Sequence, residues 1–249
     1  MTSRTASVLL TLALCAGLLG CAARRPGAPE NDPIEGFNRK IFWFNDKVDV
    51  YALEPVATGW EKITPRRVRT SVSNFFGNLR FPIFTMNDLL QGKFVAAGSD
   101  VGRFAVNTTV GVLGFFDPAS GWGLVKHDVD FGQTLGKWGV PAGPYIVLPL
   151  LGPSSPREAT GLAVDAAFAV TPFFVDWWIL AAARVFDTVN ERSQVLQEVR
   201  ELKRSSFDYY GAVRNAYIQR RRAKVREGTE GGGEEQEDLY HPDVDVKPE

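Results

Sequence analysis

Cysteine and histidine are scarce in this chain, and their scarcity excludes several kinds of site. The two cysteines, Cys15 and Cys21, both lie near the N-terminus. The rest of the chain therefore has neither a disulfide framework nor a cysteine-based metal site. The two histidines are His127 and His241. Because a nucleophilic serine or cysteine needs a base beside it, covalent catalysis has almost no candidate residues here.

The motifs of common hydrolases are also missing. The sequence has no Gly-x-Ser-x-Gly elbow, no His-Glu-x-x-His pair and no Walker-type loop, which are the patterns that position a nucleophile, a zinc ion or a phosphate. His127 stands in a charged segment after a glycine-rich loop, and a catalytic or headgroup-binding role for it is the alternative. The sequence predicts a protein that is not an enzyme and that uses no metal ion or cofactor.

The chain has no overall excess of positive or negative charge, since it contains 28 basic and 29 acidic residues. The balance conceals an asymmetry, because residues 227–249 contain nine acidic residues and one lysine. Such a tail cannot bury a core and is predicted to be disordered. The rest of the chain is mildly basic, which is compatible with an anionic lipid surface. Its basic residues are not interleaved with aromatics on strands, so no nucleic-acid partner is expected.

The N-terminus has the pattern of a lipoprotein leader. Arg4 is followed by an apolar run over residues 8–19, which is too short to span a bilayer comfortably. The run ends in the lipobox sequence LLGC at Cys21, whose thiol would receive a diacylglycerol and whose amine would receive an N-acyl chain. We predict a signal peptide over residues 1–20 and a lipidated Cys21, anchored by acyl chains that contribute about 0.8 kcal/mol per buried methylene.

The residues after the lipobox set the expected destination. Residues 21–31 are predicted to be the lipidated cysteine and a tether rich in proline, glycine and alanine. Ala22, rather than an aspartate, follows the cysteine, which in enteric-type sorting implies the outer membrane. Ordinary signal cleavage after Ala23 is the alternative, and it would discard Cys21.

Sustained period-two alternation with hairpin turns is lacking too, so residues 32–226 are predicted to be a single all-α domain. Apolar residues recur every three or four positions, as in Ile34, Phe37, Ile41, Phe44, Val48 and Tyr51. Helix starts are indicated by cap patterns at Asp32-Pro33-Ile34-Glu35, at Asp130 with Gln133, and at Ser155-Pro156-Arg157-Glu158. Glu54-Pro55 is predicted to end the first helix, and Thr171-Pro172 to begin a later one.

Glycine, proline and apolar residues are concentrated in the central segment, residues 131–157, which reads FGQTLGKWGVPAGPYIVLPLLGPSSPR. Its five prolines forbid one continuous helix, and an exposed loop would not be so apolar. We expect this segment to be buried in protein or to lie against lipid beside a cavity. Its Gly-x-x-x-Gly spacings, Gly132 with Gly136 and Gly139 with Gly143, are predicted to allow close backbone packing.

Residues 161–186 form a second apolar stretch, with charges only at Asp165, Asp176 and Arg184. As one straight helix it would reach about 39 Å, enough to cross a bilayer. Pro172 opposes that, as does the cost of about 2.5–3.5 kcal/mol for each aspartate near the membrane centre. Two half-length helices, each about one leaflet deep, are therefore predicted. A buried hairpin in a soluble bundle is the alternative, and the lipobox favours the membrane.

Specific roles follow for residues of this stretch and of the last helix. Phe173, Phe174, Trp177 and Trp178 are predicted to face lipid at the membrane interface. Asp165 and Asp176 are hypothesised to line a wet cavity where lipid headgroups pass, with solvent exposure or helix capping as an equal alternative. The basic residues 220–226 end the last helix and would meet a carrier or the membrane surface, with a solvated helix end as the alternative.

Four ordered segments carry a resemblance to a known family. They are DPIEGFNR from Asp32, SNFFGNL from Ser73, RFAVNTT from Arg103 running on to Asp117, and residues 131–157. In these segments the chain resembles the MlaA (VacJ) family of outer-membrane lipoproteins. The resemblance covers residues 32–222, and four motifs in order are far more specific than one short motif.

The resemblance implies a fold and a function. The fold would be an all-helical ring in the inner leaflet of the outer membrane of a Gram-negative bacterium. It would enclose an amphipathic channel whose inner wall includes residues 131–157. Phospholipids misplaced in the outer leaflet would pass through it to a periplasmic MlaC-like carrier, beside a trimeric porin and without ATP hydrolysis in this component. The alternative is a structural outer-membrane lipoprotein that moves no lipid.

Overall fold

The computed structural model describes residues 32–229, without the side chains of residues 228 and 229. The predicted signal peptide, the predicted acylation site Cys21, the predicted tether and the acidic tail beyond residue 229 lie outside the described residues. Within that range the chain is mostly helical, as predicted. The elements in chain order are α1 (Glu35–Val48), α2 (Glu54–Ile63), α3 (Arg66–Leu79), α4 (Phe81–Leu90), α5 (Phe94–Thr109), α6 (Pro118–Gly121), α7 (Phe131–Lys137), β1 (Ile146–Leu148), β2 (Gly152–Ser154), α8 (Pro156–Phe168), α9 (Trp177–Gln194), α10 (Leu196–Ser205) and α11 (Tyr209–Thr229).

The first helix continues past its predicted end at Glu54-Pro55. A π-helical turn, Asp49–Leu53, joins α1 to α2, and the Glu54 N–H donates to the Asp49 carbonyl five residues back. Pro55 therefore falls in the first turn of α2, where the N–H that proline lacks is not needed. The prediction was wrong because the sequence around a proline looks the same whether the proline ends one helix or lies in the first turn of the next.

A short antiparallel hairpin departs from the all-α prediction. β1 and β2 pair Ile146 with Ser154 and Val147 with Pro153. Strands of three residues are too short to show a polar and apolar alternation in the sequence. Pro153 is compatible with β2 because an edge strand tolerates a missing N–H.

The second apolar stretch is broken near the proline, as predicted. A 3-10 turn, Thr171–Phe173, follows α8, and α9 begins only at Trp177. Thr171-Pro172 thus begins a single 3-10 turn, and the longer helix expected to start there begins only at Trp177. Among residues 32–229, no helix combines the length and the apolar character needed to cross a membrane.

Helices α7 and α8 approach each other closely at glycines. A Cβ on Gly161 of α8 would lie 2.8 Å from the Gly132 Cα, and a Cβ on Gly136 would lie 2.8 Å from a methyl of Val225 in α11. Close backbone packing is therefore confirmed at Gly132, whereas the neighbours of Gly136 are side chains. Gly139 has no neighbour of this kind within 4 Å, so its predicted packing role was wrong.

The elements contact one another in a closed order. From α1 the contacts lead through the π-helical turn to α2, then through α9, α3, α4, α8, α7 and α11, and finally through β2 and β1 back to α1. Helix α5 packs on α3 and α4, and α10 packs on α2. The hairpin and α11 therefore join the last part of the chain to the first.

Burial in the described chain favours polar side chains. Twenty polar or charged residues are buried there, against ten apolar ones. The buried apolar residues form small clusters, one where α2, α9 and α10 meet and one between the hairpin and α11. Large apolar side chains such as Val95, Phe173 and Trp177 are instead exposed. A soluble domain normally buries such residues, so the apolar surface of this chain lies largely on its outside.

Candidate functional site

A cavity of about 970 Å³ lies between the central segment and α11. Its volume is at the upper end of the roughly 300–1,000 Å³ that ligand pockets span. Residues 142–158 contribute one wall, and residues 217–226 contribute the other. Part of the second half of the central segment therefore lines this cavity, whereas Leu150 and Leu151 of the same segment are exposed. A place for the segment beside a passage for lipid stays a prediction.

The cavity walls combine apolar and cationic groups. Ala142, Tyr145 and Ile218 give apolar surface, and α11 adds a series of arginines. Arg220 and Arg222 are exposed, and neither makes an ion pair with another described side chain. An amphipathic ligand would find both kinds of surface here.

Two tyrosines add hydrogen-bond donors to the wall. The rings of Tyr145 and Tyr217 lie 5.9 Å apart, and their hydroxyls are buried without a hydrogen-bond partner among the described residues. Burial raises the pKa of each phenol to about 12, so both stay protonated at neutral pH. Since buried donors are nearly always paired in proteins, these hydroxyls suit a ligand with acceptor oxygens.

Two asparagines of α1 hold the hairpin wall in place. Asn38 Nδ2 donates to the Tyr145 carbonyl at 2.9 Å, and Asn38 Oδ1 accepts from the Val147 N–H at 3.0 Å. Asn45 repeats this pattern: it donates to the Leu148 carbonyl at the end of β1 at 2.9 Å and accepts from the Leu150 N–H in the turn at 2.8 Å. Residues seven apart share one face of a helix, so α1 pairs with the edge of the hairpin much as another strand would.

Asp32 is a buried acceptor and not the predicted N-cap. Its carboxylate accepts from Asn38 at 2.8 Å, from Arg214 at 3.4 Å and from the Tyr210 hydroxyl, and α1 begins without a side-chain cap. The prediction was wrong because a cap pattern depends only on neighbouring residues, whereas the Asp32 carboxylate is held by donors from α11. These bonds tie the start of α1 to the start of α11.

At the other end of the cavity, Arg221 is held by two carboxylates. It donates to both oxygens of Asp130 at 2.7 and 2.9 Å and also contacts Glu158. Burial would raise the pKa of Asp130, but the charge and hydrogen bonds of Arg221, together with the hydrogen bonds from Gln133, outweigh burial and hold that pKa below its usual range. The predicted caps are confirmed here, since Asp130 accepts from the Gln133 N–H and Ser155 accepts from the Glu158 N–H.

Asp165, predicted to line a lipid passage, lies at the meeting point of three helices. Its carboxylate is buried and accepts from Asn87 of α4 at 2.8 Å and from the Phe131 N–H at the start of α7 at 3.1 Å. Burial raises its pKa. Asp165 is not among the residues that line the main cavity, so its role in a passage stays a prediction.

The break between α8 and α9 places the other predicted residues at the surface. Asp176 is exposed at the N-cap position of α9, and its side chain makes no cap bond. Phe173, Phe174, Trp177 and Trp178 are 78, 81, 80 and 58 % exposed. Adjacent aromatic side chains this exposed usually mark a surface that something else covers. Their contact with lipid, and a passage role for Asp176, stay predictions.

The segment that begins at Arg103 closes the glycine-rich loop. Arg103 donates to the Asp117 carboxylate at 2.8 and 2.7 Å, and Asn107 donates to it at 2.9 Å while accepting from the Ala119 N–H at 3.1 Å. Burial alone would raise the pKa of Asp117, but the donors, Ser120 among them, lower it to about 2. This segment therefore fixes the local structure and is not part of the cavity.

The fold and the cavity define a helical protein with apolar side chains outward and an amphipathic cavity within. The sequence profile of the MlaA lipoprotein family matches residues 30–224. The intermembrane phospholipid transport system lipoprotein MlaA of Haemophilus influenzae is 36 % identical over 235 residues, which cover 90 % of this chain and 92 % of that protein. The protein of the same description from Escherichia coli K12 is 36 % identical over 211 residues, 82 % of each chain.

A solved structure agrees with these sequence relatives. It belongs to work on the structural basis for maintenance of bacterial outer membrane lipid asymmetry, and it matches with a TM-score of 0.71 at 35 % identity. The match covers 79 % of this chain and 100 % of the other. The chain belongs to the MlaA lipoprotein family, and the resemblance found in its motifs is confirmed.

Proposed function

We propose that this chain is an outer-membrane lipoprotein of a Gram-negative bacterium that removes mislocalised phospholipids from the outer leaflet. It passes them to a periplasmic lipid carrier and so keeps the membrane asymmetric. The relatives named as phospholipid transport lipoproteins supply the class of cargo. The observation that carries the proposal in this chain is the 970 Å³ cavity, with apolar walls beside arginines and buried phenols.

The chemistry of the cavity suits a phospholipid. A phosphate is an anion that arginine binds through two parallel N–H donors, and Arg220 and Arg222 offer such donors at the edge of the cavity. The hydroxyls of Tyr145 and Tyr217 would donate to phosphate or ester oxygens. Apolar wall residues such as Ile218 would contact the acyl chains.

The closed order of helix contacts supports a ring around a passage for lipid. Each element of that order has neighbours on two sides, and the buried side chains are mostly polar. We infer that the cavity is part of this passage and that residues 131–157 contribute to its inner wall. A polar interior with an apolar exterior is the distribution that such a ring needs in a membrane.

The position in the membrane follows from helix length and exposed aromatic residues. With 13 residues, α8 is about 20 Å long, short of the roughly 30 Å of a hydrocarbon core. We infer that the ring lies in the inner, periplasmic leaflet, anchored by acylated Cys21, with Phe173, Phe174, Trp177 and Trp178 toward lipid. A trimeric porin beside the ring and an MlaC-like carrier below it complete the proposal, which assigns no catalysis to this chain.

The proposal is tested by charge reversal at the edge of the cavity. A strain lacking the gene is complemented with the wild type or with a chain carrying both Arg220→Glu and Arg222→Glu. We expect the reversed chain to leave outer-leaflet phospholipid as high as in the uncomplemented strain, because glutamates repel the phosphate. Surface aminophospholipid is measured with an amine reagent that cannot cross the membrane.

A matched control reverses two other exposed arginines, Arg66 and Arg67 at the start of α3, which do not line the cavity. That control should restore asymmetry as the wild type does. If the cavity variant restores it equally well at normal protein level, the cavity is not the lipid site. If the uncomplemented strain exposes no phospholipid at all, the structural-lipoprotein alternative is favoured.

A further inference from the structure

Three side chains that are distant in the sequence meet on the side of the fold formed by α4 and α5. Asp88 lies on α4, Asp100 on α5, and His127 in the loop that precedes α7. His127 Nδ1 lies 3.1 Å from Asp100 Oδ1 and 3.7 Å from Asp88 Oδ2. One ligand atom from each of the three lies within 4.8 Å of the other two.

The two carboxylates are buried without the donors that such groups need. Asp88 is 0 % exposed and Asp100 is 4 % exposed. Both oxygens of Asp88 and Oδ2 of Asp100 have no hydrogen-bond partner among the described residues. Buried carboxylates in proteins are paired, hydrogen-bonded or bound to a metal ion, and these two face each other and a single imidazole.

The neighbouring lysine and arginine side chains that the structure describes form no ion pair that fills this need, although the charge of Lys93 acts on Asp88. The ion pairs of Asp88 and Asp100 within residues 32–229 are those with His127. Arg103, the nearest arginine along α5, is committed to Asp117. The two carboxylates carry a charge of −2 between them, which a divalent cation would balance once it has displaced a proton from the imidazole.

We propose that Asp88, Asp100 and His127 bind a divalent transition-metal ion, with zinc as the best fit. Zinc takes imidazole nitrogen and carboxylate oxygen at about 2.0–2.2 Å in tetrahedral geometry, which separates ligand atoms by about 3.3–3.5 Å. The observed separations of 3.1 and 3.7 Å lie on either side of that range. Imidazole also favours zinc and its neighbours over calcium or magnesium, which prefer oxygen ligands.

A fourth ligand has room beside the cluster. A small cavity of about 40 Å³ is lined in part by Asp100 and His127, and it is large enough for a water molecule. A bound ion would join α4, α5 and the loop of His127 into one unit. That loop leads directly to Asp130, which caps α7 and holds Arg221 of the main cavity. The inference does not depend on lipid transport.

The test measures zinc binding to the full-length, detergent-solubilised chain without a histidine tag, after dialysis against a chelator. Isothermal titration with Zn²⁺ should show one equivalent bound, and zinc should raise the melting temperature. The matched control is His241→Gln, which removes the other histidine of the chain and should leave the bound equivalent unchanged.

His127→Gln and Asp88→Asn should each abolish the bound equivalent and the zinc-dependent rise in melting temperature. His127 is half-buried, so its variant provides the test if Asp88→Asn does not fold. Mg²⁺ and Ca²⁺ are titrated in parallel. Three results would each overturn the proposal: no zinc binding, zinc binding that survives His127→Gln, or tighter binding of Ca²⁺ than of Zn²⁺. If zinc does not bind, a proton shared between the two carboxylates is the remaining explanation for their burial.

Discussion

Single buried polar residues hold this molecule together where other proteins use an apolar core. Asp32, Asn38 and Asp165 are each buried and bonded to a partner on another element. A buried polar group that is fully bonded is specific, because any displacement leaves its partner unsatisfied. The positions of the elements that form the cavity wall therefore depend more on the hydrogen bonds of a few side chains than on the amount of apolar surface that is buried.

Asn38 gives the clearest prediction at this scale. Asn38→Ala should lower the free energy of unfolding by about 2–6 kcal/mol, because it leaves the Tyr145 carbonyl and the Val147 N–H without their partner at about 1–3 kcal/mol each. Denaturant unfolding in detergent, followed by tryptophan fluorescence, measures the change. Lys40→Ala, an exposed change on the same helix, should stay within about 0.5 kcal/mol. Equal effects of the two would contradict the anchoring role of Asn38.

Among the elements, the distance between α7 and α8 is set by glycine. Gly132 and Gly161 face each other so closely that a side chain on either would meet the backbone or a carboxylate of the opposite helix. Close approach lets the Asp165 carboxylate of α8 reach the Phe131 N–H at the start of α7. The two helices thus act as one support for the cavity wall.

A pair of alanine substitutions tests that contact. Gly161→Ala should destabilise the chain by about 1–3 kcal/mol, since the added Cβ would lie 2.8 Å from the Gly132 Cα and must push the helices apart. Gly59→Ala, in α2 with nothing within 4 Å of its Cβ, should stabilise by about 0.5–1 kcal/mol through helix propensity. Thermal unfolding by circular dichroism compares them, and a shift of the same sign in both would refute the packing argument.

Taken as a whole, the molecule has its polar side chains inside and much of its apolar surface outside. That arrangement is unfavourable in water, where apolar surface costs roughly 25 cal/mol per Å², and it is favourable against acyl chains. The acyl anchor proposed at Cys21 and the apolar exterior would then be two independent attachments to the membrane.

The two attachments can be separated. With Cys21→Ser the chain carries no acyl group, and we expect it still to float with phospholipid vesicles in a density gradient. Replacing Phe173, Phe174, Trp177 and Trp178 by serine in that background should reduce the floated fraction several-fold, because each buried aromatic contributes about 1.5–3 kcal/mol.

Phe207→Ser, which removes an exposed aromatic in the loop before α11, serves as the control and should float as the Cys21→Ser chain does. A Cys21→Ser chain that is monodisperse in buffer without detergent and ignores vesicles would contradict an embedded molecule.

Much of this fold was readable locally. Helix periodicity, the caps at Asp130 and Ser155, and the break near Pro172 depend on residues within one or two turns of each other, so their pattern is visible in the sequence. The same holds for the family motifs. Local patterns gave the wrong answer at two positions. Asp32 bonds to residues of α11 instead of capping α1, and Pro55 follows a π-helical turn that carries the chain from α1 into α2.

The sequence by itself determined a mostly helical chain of the MlaA family. Tertiary structure alone decided which side chains meet. Tyr145 and Tyr217 line one cavity although they stand 72 positions apart in the sequence. Asp88, Asp100 and His127 form one cluster although they lie on two helices and a loop. Spacing along a chain fixes neighbours on one helix, whereas contacts between helices depend on how the whole set of elements closes, and no local pattern records that.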